Sequence, residues 1–191
     1  GLSAISVALG ALVSAGDHIL ISDSVYGPTR TFCNQVLSRY GVTTEYYSPD
    51  IGDAIAELIQ KNTRLVLMEA PGSLTFEMQD IPGITRAAKE KGVLTVMDNT
   101  WATPVFFRPL EHGVDISIQA GTKYIAGHSD LVIGMVTSAR EATHKMMVSH
   151  AQNLGDAASP DDCYLALRGL RTLSVRLYRQ QESTLKVATW L

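Results

Sequence analysis

Asp98 follows the apolar run Val93-Leu94-Thr95-Val96-Met97, and Thr122-Lys123 follows Val114-Asp115-Ile116-Ser117-Ile118 by way of Gln119-Ala120-Gly121. Tyr26 lies just past His18-Ile19-Leu20-Ile21-Ser22, and Gly1-Leu2 stands at the start of a helix-like stretch. Each has an ordinary alternative. Lys123 alone reads as a solvated lysine, Asp98 before Asn99 as a turn or cap residue, Tyr26 before Gly27-Pro28 as a loop plug, and Gly1 as a plain helix start. Together they answer one chemical demand. Pyridoxal 5'-phosphate (PLP) needs a lysine amine for a Schiff base and a carboxylate at its pyridine nitrogen. It also needs an aromatic ring against its face and amides with hydroxyls around its phosphate. Lys123 offers the amine, Asp98 the carboxylate and Tyr26 the ring. The Gly1 and Leu2 amides and the Thr122 hydroxyl suit the phosphate.

Such residues must be carried by elements that end at one place. Short β-rich runs alternate with longer segments of helical period along the chain. The runs 18–22, 42–48, 64–69, 93–97 and 114–118 read as strands, the first of the fully buried kind, apolar without strict alternation. Segments 2–15, 28–40, 50–60 and 80–91 read as helices, with Pro28 and Pro82 suited to first turns and Gly16, Gly41 and Gly92 as stops. A sixth strand, Leu131 to Ser138, follows too soon for a crossover helix and is expected to run antiparallel. From Arg140 onward the pattern is helical, with a long amphipathic segment from about Leu170. Regular alternation predicts an α/β fold, a mostly parallel sheet with helices on both faces. In such sheets ligands sit outside the carboxyl ends of the strands, where these residues fall.

The chain has 191 residues, 46% hydrophobic and 18% charged, enough for one substantial core. Its 16 basic and 19 acidic side chains give a net charge of −3 without a basic cluster, which argues against nucleic acid or an anionic membrane surface as partner. No apolar run reaches the roughly 18 residues of a spanning helix. Cys33 and Cys163 match no metal or redox spacing and read as reduced thiols of a cytoplasmic protein. The histidines show no zinc spacing. His128 is read as ordering the loop behind Lys123, and Arg168 and Arg171 as structural or subunit-facing rather than catalytic. The sequence opens on Gly and stops within the amphipathic stretch Leu185–Leu191, so further elements are expected on both sides.

Longer motifs carry a resemblance. Asp98-Asn99-Thr100-Trp101-Ala102-Thr103-Pro104, then Gln119-Ala120-Gly121-Thr122-Lys123-Tyr124-Ile125-Ala126-Gly127-His128-Ser129-Asp130, resemble the Cys/Met-metabolism family of PLP enzymes. So do Tyr26-Gly27-Pro28-Thr29 and Leu167-Arg168-Gly169-Leu170-Arg171-Thr172-Leu173, in the family's order and across essentially the whole chain. The resemblance implies the large domain of the type I aminotransferase fold, with a seven-stranded type of sheet. Residues 1–170 would form the PLP-binding domain, its start truncated, and 171–191 a long helix leading to a further C-terminal domain. It implies Lys123 as the cofactor-bearing lysine, Asp98 at the pyridine nitrogen, and Tyr26 stacked on the ring and active in catalysis. It also implies Gly1, Leu2 and Thr122 at the phosphate, and a homo-oligomer, a tetramer of two close dimers.

Glu69-Ala70-Pro71-Gly72-Ser73-Leu74 lacks the asparagine that many γ-acting members have there, and Trp101 stands where many have Phe. Both departures resemble the β-eliminating branch. They imply cleavage of L-cystathionine to homocysteine, pyruvate and ammonia, in methionine biosynthesis. The alternatives are γ-elimination or γ-replacement on the same cofactor, or an inactive fragment of such an enzyme. Ala120 replaces a frequent serine and removes one potential phosphate bond.

Overall fold

The computed structural model describes residues 1–191. Six strands, β1 (His18–Ser22), β2 (Thr43–Tyr47), β3 (Thr63–Glu69), β4 (Leu94–Asp98), β5 (Ile116–Gln119) and β6 (Met135–Ser138), form one sheet in the order β2-β1-β3-β4-β5-β6. The first five are parallel, and β6 pairs antiparallel with β5, as its short connection requires. The fold is α/β, as expected. The sheet has six strands rather than the seven implied by resemblance, in line with the six β-rich runs of the sequence.

Seven helices complete the fold: α1 (Leu2–Leu12), α2 (Gly27–Gln35), α3 (Ile81–Glu90), the single turn α4 (Thr103–Phe106), α5 (Glu141–Leu154), α6 (Pro160–Leu170) and α7 (Leu173–Trp190). The period of two along the strands divides the core. Ile19, Ile21, Leu65, Leu67, Val96, Ile116 and Ile118 pack with α1, while Leu20, Val66, Met68 and Met97 pack with α3 on the other face. Each face thereby buries its own helices, which is why β1, β3 and β4 read as near-continuous apolar runs.

Differences from the sequence reading concern helices. The predicted helix 28–40 is α2 followed by a 3-10 turn at Leu37–Tyr40, and 50–60 holds only a 3-10 segment, Gly52–Glu57. Gly41 ends the first in the left-handed conformation. Helix α1 stops at Leu12 rather than residue 15, because Val13 is extended. The Asp80 carboxylate caps α3 by accepting from the Gly83 amide. Residues 131–134 precede β6 without strand pairing.

Candidate active site

The strand order turns outward in both directions from β1 and β3: the chain leaves β1 toward β2 on one side, and β3 begins the run on the other. A doubly wound sheet opens a crevice at such a point, at the carboxyl ends of its strands. The loops after β1, β3, β4 and β5 border that crevice, and all the non-glycine residues with positive φ lie in three of them. Leu74 and Phe76 follow β3, Thr103 follows β4 and Ser129 follows β5. Left-handed backbone at such residues is costly, most of all for β-branched Thr103, and persists where the surroundings over-determine it.

Asp98, the last residue of β4, faces the α1 side and is 8% exposed. Its Oδ1 accepts from the Thr100 amide at 2.9 Å and from the Thr100 hydroxyl. The same hydroxyl accepts from the Ala120 amide at 2.8 Å. Thr100 thus joins Asp98 to the turn that carries Lys123, whose amide donates to the Ala120 carbonyl at 2.9 Å. No hydrogen bond engages Asp98 Oδ2, which is free for a donor from the crevice. Burial raises the Asp98 pKa, against the two Thr100 bonds that lower it.

Lys123 has an exposed side chain and forms no ion pair. Its backbone is held in a closed turn: the Ala126 amide donates to Gly121 and the Gly127 amide to Lys123, both at 2.8 Å. His128 Nδ1 lies 2.6 Å from the Ala126 carbonyl, the loop-ordering position expected of it. Arg168 pairs with Asp130 at 2.8 Å.

Gly1 meets this turn from the helix side. A Cβ there would lie 3.1 Å from Ala120 Cβ, so the close approach favours glycine. No side chain caps the start of α1, and the Gly1 nitrogen donates to the Ile133 carbonyl at 3.3 Å. Thr122 is committed otherwise. Its hydroxyl donates to the Ile133 carbonyl at 3.1 Å and accepts from the Ile133 amide at 2.9 Å, which ties the turn to the segment before β6.

Tyr26 is 43% exposed at the head of α2. Its amide donates to Glu69 Oε2 at 2.7 Å. Glu69 closes β3, pairs in register with Asp98 and is 5% exposed. Glu69 and Thr100 are the two members of this network that sequence reasoning passed over. An acidic residue ending the buried run Leu65–Met68 was a visible signal for the first. For Thr100 only its place two residues after Asp98 could have pointed to it. A shallow hollow of about 430 Å³ near Ala11 and His150 lies at the far end of α1 and contains none of these residues.

The arrangement offers an uncapped helix start, a free amine, a buried carboxylate with one open oxygen and an exposed ring around one crevice. Those features fit PLP, the open Asp98 oxygen being the most specific of them. Comparison with known proteins agrees. The family model described as Cys/Met metabolism PLP-dependent enzyme matches residues 1–191. The chain is 45% identical, over its full length, to a cystathionine beta-lyase of Haemophilus influenzae, of which the match covers 48%. It is 44% identical to an L-alanine/L-glutamate racemase of Wolbachia pipientis, again over the whole chain and 47% of that protein. A crystal structure of cystathionine gamma-lyase from Lactobacillus plantarum complexed with L-serine superposes with a TM-score of 0.96 at 30% identity, covering all of this chain and 50% of the other. The chain spans about half the length of the curated relatives it matches.

Proposed function

Because the chain belongs to the Cys/Met metabolism PLP-dependent enzyme family, we propose that it carries the cofactor-binding half of a carbon–sulfur lyase that cleaves L-cystathionine by β-elimination. The observation that carries this reading is the Asp98–Thr100–Ala120 bridge, which couples a half-engaged buried carboxylate to the turn bearing a free lysine. Cystathionine beta-lyase relatives supply the substrate class.

When bound, PLP supplies an aldehyde for amines and an electron sink. In our reading Lys123 would hold the cofactor, and its amine would be the base that takes the substrate Cα proton. As an ammonium it returns a proton to the sulfur as the Cβ–S bond breaks. Homocysteine departs, and water completes the release of pyruvate and ammonia. Asp98 would keep the pyridine nitrogen protonated through its open Oδ2. Tyr26, exposed at the head of α2, would cover the ring face and exchange a proton with the incoming amine. The Gly1 and Leu2 amides take the phosphate at the head of α1. Thr122 reaches that phosphate only by giving up the bond its hydroxyl donates to Ile133. Residues 1–170 form the cofactor domain and α7 leads out of it, and the whole protein is a homotetramer of two close dimers.

Product analysis tests the assignment. β-Elimination of cystathionine yields pyruvate, and γ-elimination yields 2-oxobutyrate. Pyruvate as the main keto acid is the expected result; 2-oxobutyrate would shift the reading to the γ-acting chemistry named for the Lactobacillus structure. Visible absorbance of the loaded protein, bleached by borohydride and lost in Lys123→Ala, is expected independently of substrate.

A further inference from the structure

Glu69 is the carboxylic acid of the crevice that the proposed chemistry leaves unused. It ends β3 at the point where the strand order turns, is 5% exposed and enters no ion pair. Its register partner is Asp98, one strand spacing away on the same face, a gap of about 4.8 Å between chains. From the loop after β1 it meets the Tyr26 amide, which donates to Oε2 at 2.7 Å. Gln79 Nε2 fixes its backbone by donating to the Glu69 carbonyl at 2.6 Å, and the Tyr47 hydroxyl in turn donates to Gln79 Oε1 at 2.9 Å.

Two ionised carboxylates side by side and buried oppose each other strongly. Asp98 has two donors from Thr100, Glu69 has one from Tyr26, so the proton falls to Glu69. Burial first, then Asp98, push the Glu69 pKa up to about 8, with the Tyr26 amide acting the other way; no arginine, lysine or histidine bears on it.

We propose that Glu69 is a positioning residue that, as a neutral acid, docks the loop bearing Tyr26 onto the strand pair bearing Asp98, so that the pair carries one negative charge. The docking is a property of the chain itself; only the identity of what enters the slot rests on the cofactor reading above.

The test compares wild type, Glu69→Gln and Glu69→Ala, cofactor-free and loaded. Glutamine keeps a carbonyl acceptor for the Tyr26 amide and cannot ionise. In the cofactor-free protein, amide hydrogen exchange over residues 23–29 is expected to quicken about tenfold in Glu69→Ala and to stay at the wild-type rate in Glu69→Gln. Should the alanine variant not fold, Glu69→Asp, one methylene short, reads the same exchange. Thermal unfolding against pH reads the proton. A folded-state pKa above the free acid's 4.5 means the stability from the neutral form is complete below about 4.5 and is lost as pH rises toward 8. Glutamine has no such loss, so its Tm relative to wild type should climb by about 5 °C or more between roughly pH 4.5 and 8. A Tm difference that does not change with pH, or a glutamine variant as loose at Tyr26 as the alanine, overturns the proposal. PLP binding is measured in parallel. If no form binds PLP, the cofactor reading fails, while exchange and melting still judge Glu69.

Discussion

Thr100 uses its hydroxyl twice, donating to Asp98 Oδ1 and accepting from the Ala120 amide, and its own amide adds a second bond to the same oxygen. Replacing it by valine keeps the shape and the amide bond but leaves the Ala120 amide without its partner and Asp98 with one donor fewer. An unmet buried polar group costs about 1–3 kcal/mol. Thr100→Val is therefore expected to weaken PLP affinity by about tenfold or more and to lower the melting temperature, while Thr100→Ser restores both; equal behaviour of the two variants would contradict the bridge. Tyr26 separates ring from hydroxyl. Tyr26→Phe should keep cofactor affinity, since the docking bond comes from the backbone amide, and should lose turnover. Unchanged turnover would leave the hydroxyl without a catalytic role.

Helices α6 and α7 act on the site from behind. Gly169 of α6 lies against the Lys123 turn so closely that a Cβ would come 2.2 Å from the Ala126 carbonyl oxygen and 2.4 Å from that of Ile125. Arg176 of α7 donates to the Gly169 carbonyl at 2.9 Å and to the Ile125 carbonyl at 3.3 Å, which closes the contact. These obstacles are backbone atoms and cannot swing away. Gly169→Ala should cost about 1–3 kcal/mol, read as a lower denaturant midpoint, and should slow borohydride-trappable loading of Lys123. A midpoint equal to wild type would show that the helices are not seated on the turn. The motif Leu167–Leu173 was legible as a resemblance, but its glycine had no assigned task. The close approach that demands it joins segments about forty residues apart in sequence, which no local pattern reports.

At the scale of the molecule, four strand ends and one helix start border a single crevice, and the left-handed residues Leu74, Phe76, Thr103 and Ser129 all lie in its loops. A ligand that engages these loops binds the folded state alone and stabilises it by mass action, by about 2.7 kcal/mol at a hundredfold excess over Kd. Loaded protein is thus expected to melt higher than cofactor-free protein, and the same melting temperature in both would count against the crevice as the binding place. No helix is long and apolar enough to cross a membrane. Strands, the antiparallel β6 and the positions of Asp98, Lys123 and Tyr26 after strand ends were legible because a two-sided sheet imposes continuous apolar runs and puts polar residues just beyond them. The 3-10 segments at 37–40 and 52–57 were not, since their composition suits a helix and only packing and the turn at Gly41 shorten them.

The order of apolar runs and helical periods, then, was enough to determine an α/β sheet, its parallel sense and the chemical kinds of residue at its carboxyl edge. Tertiary structure alone decided which of those residues touch. It set Glu69 beside Asp98, gave Thr100 the link to the Lys123 turn and tied the Thr122 hydroxyl to Ile133. The reason is physical. Periodicity is a local consequence of burying one face, whereas strand order, register and the direction of a hydrogen bond are settled only when distant segments compete for the same space.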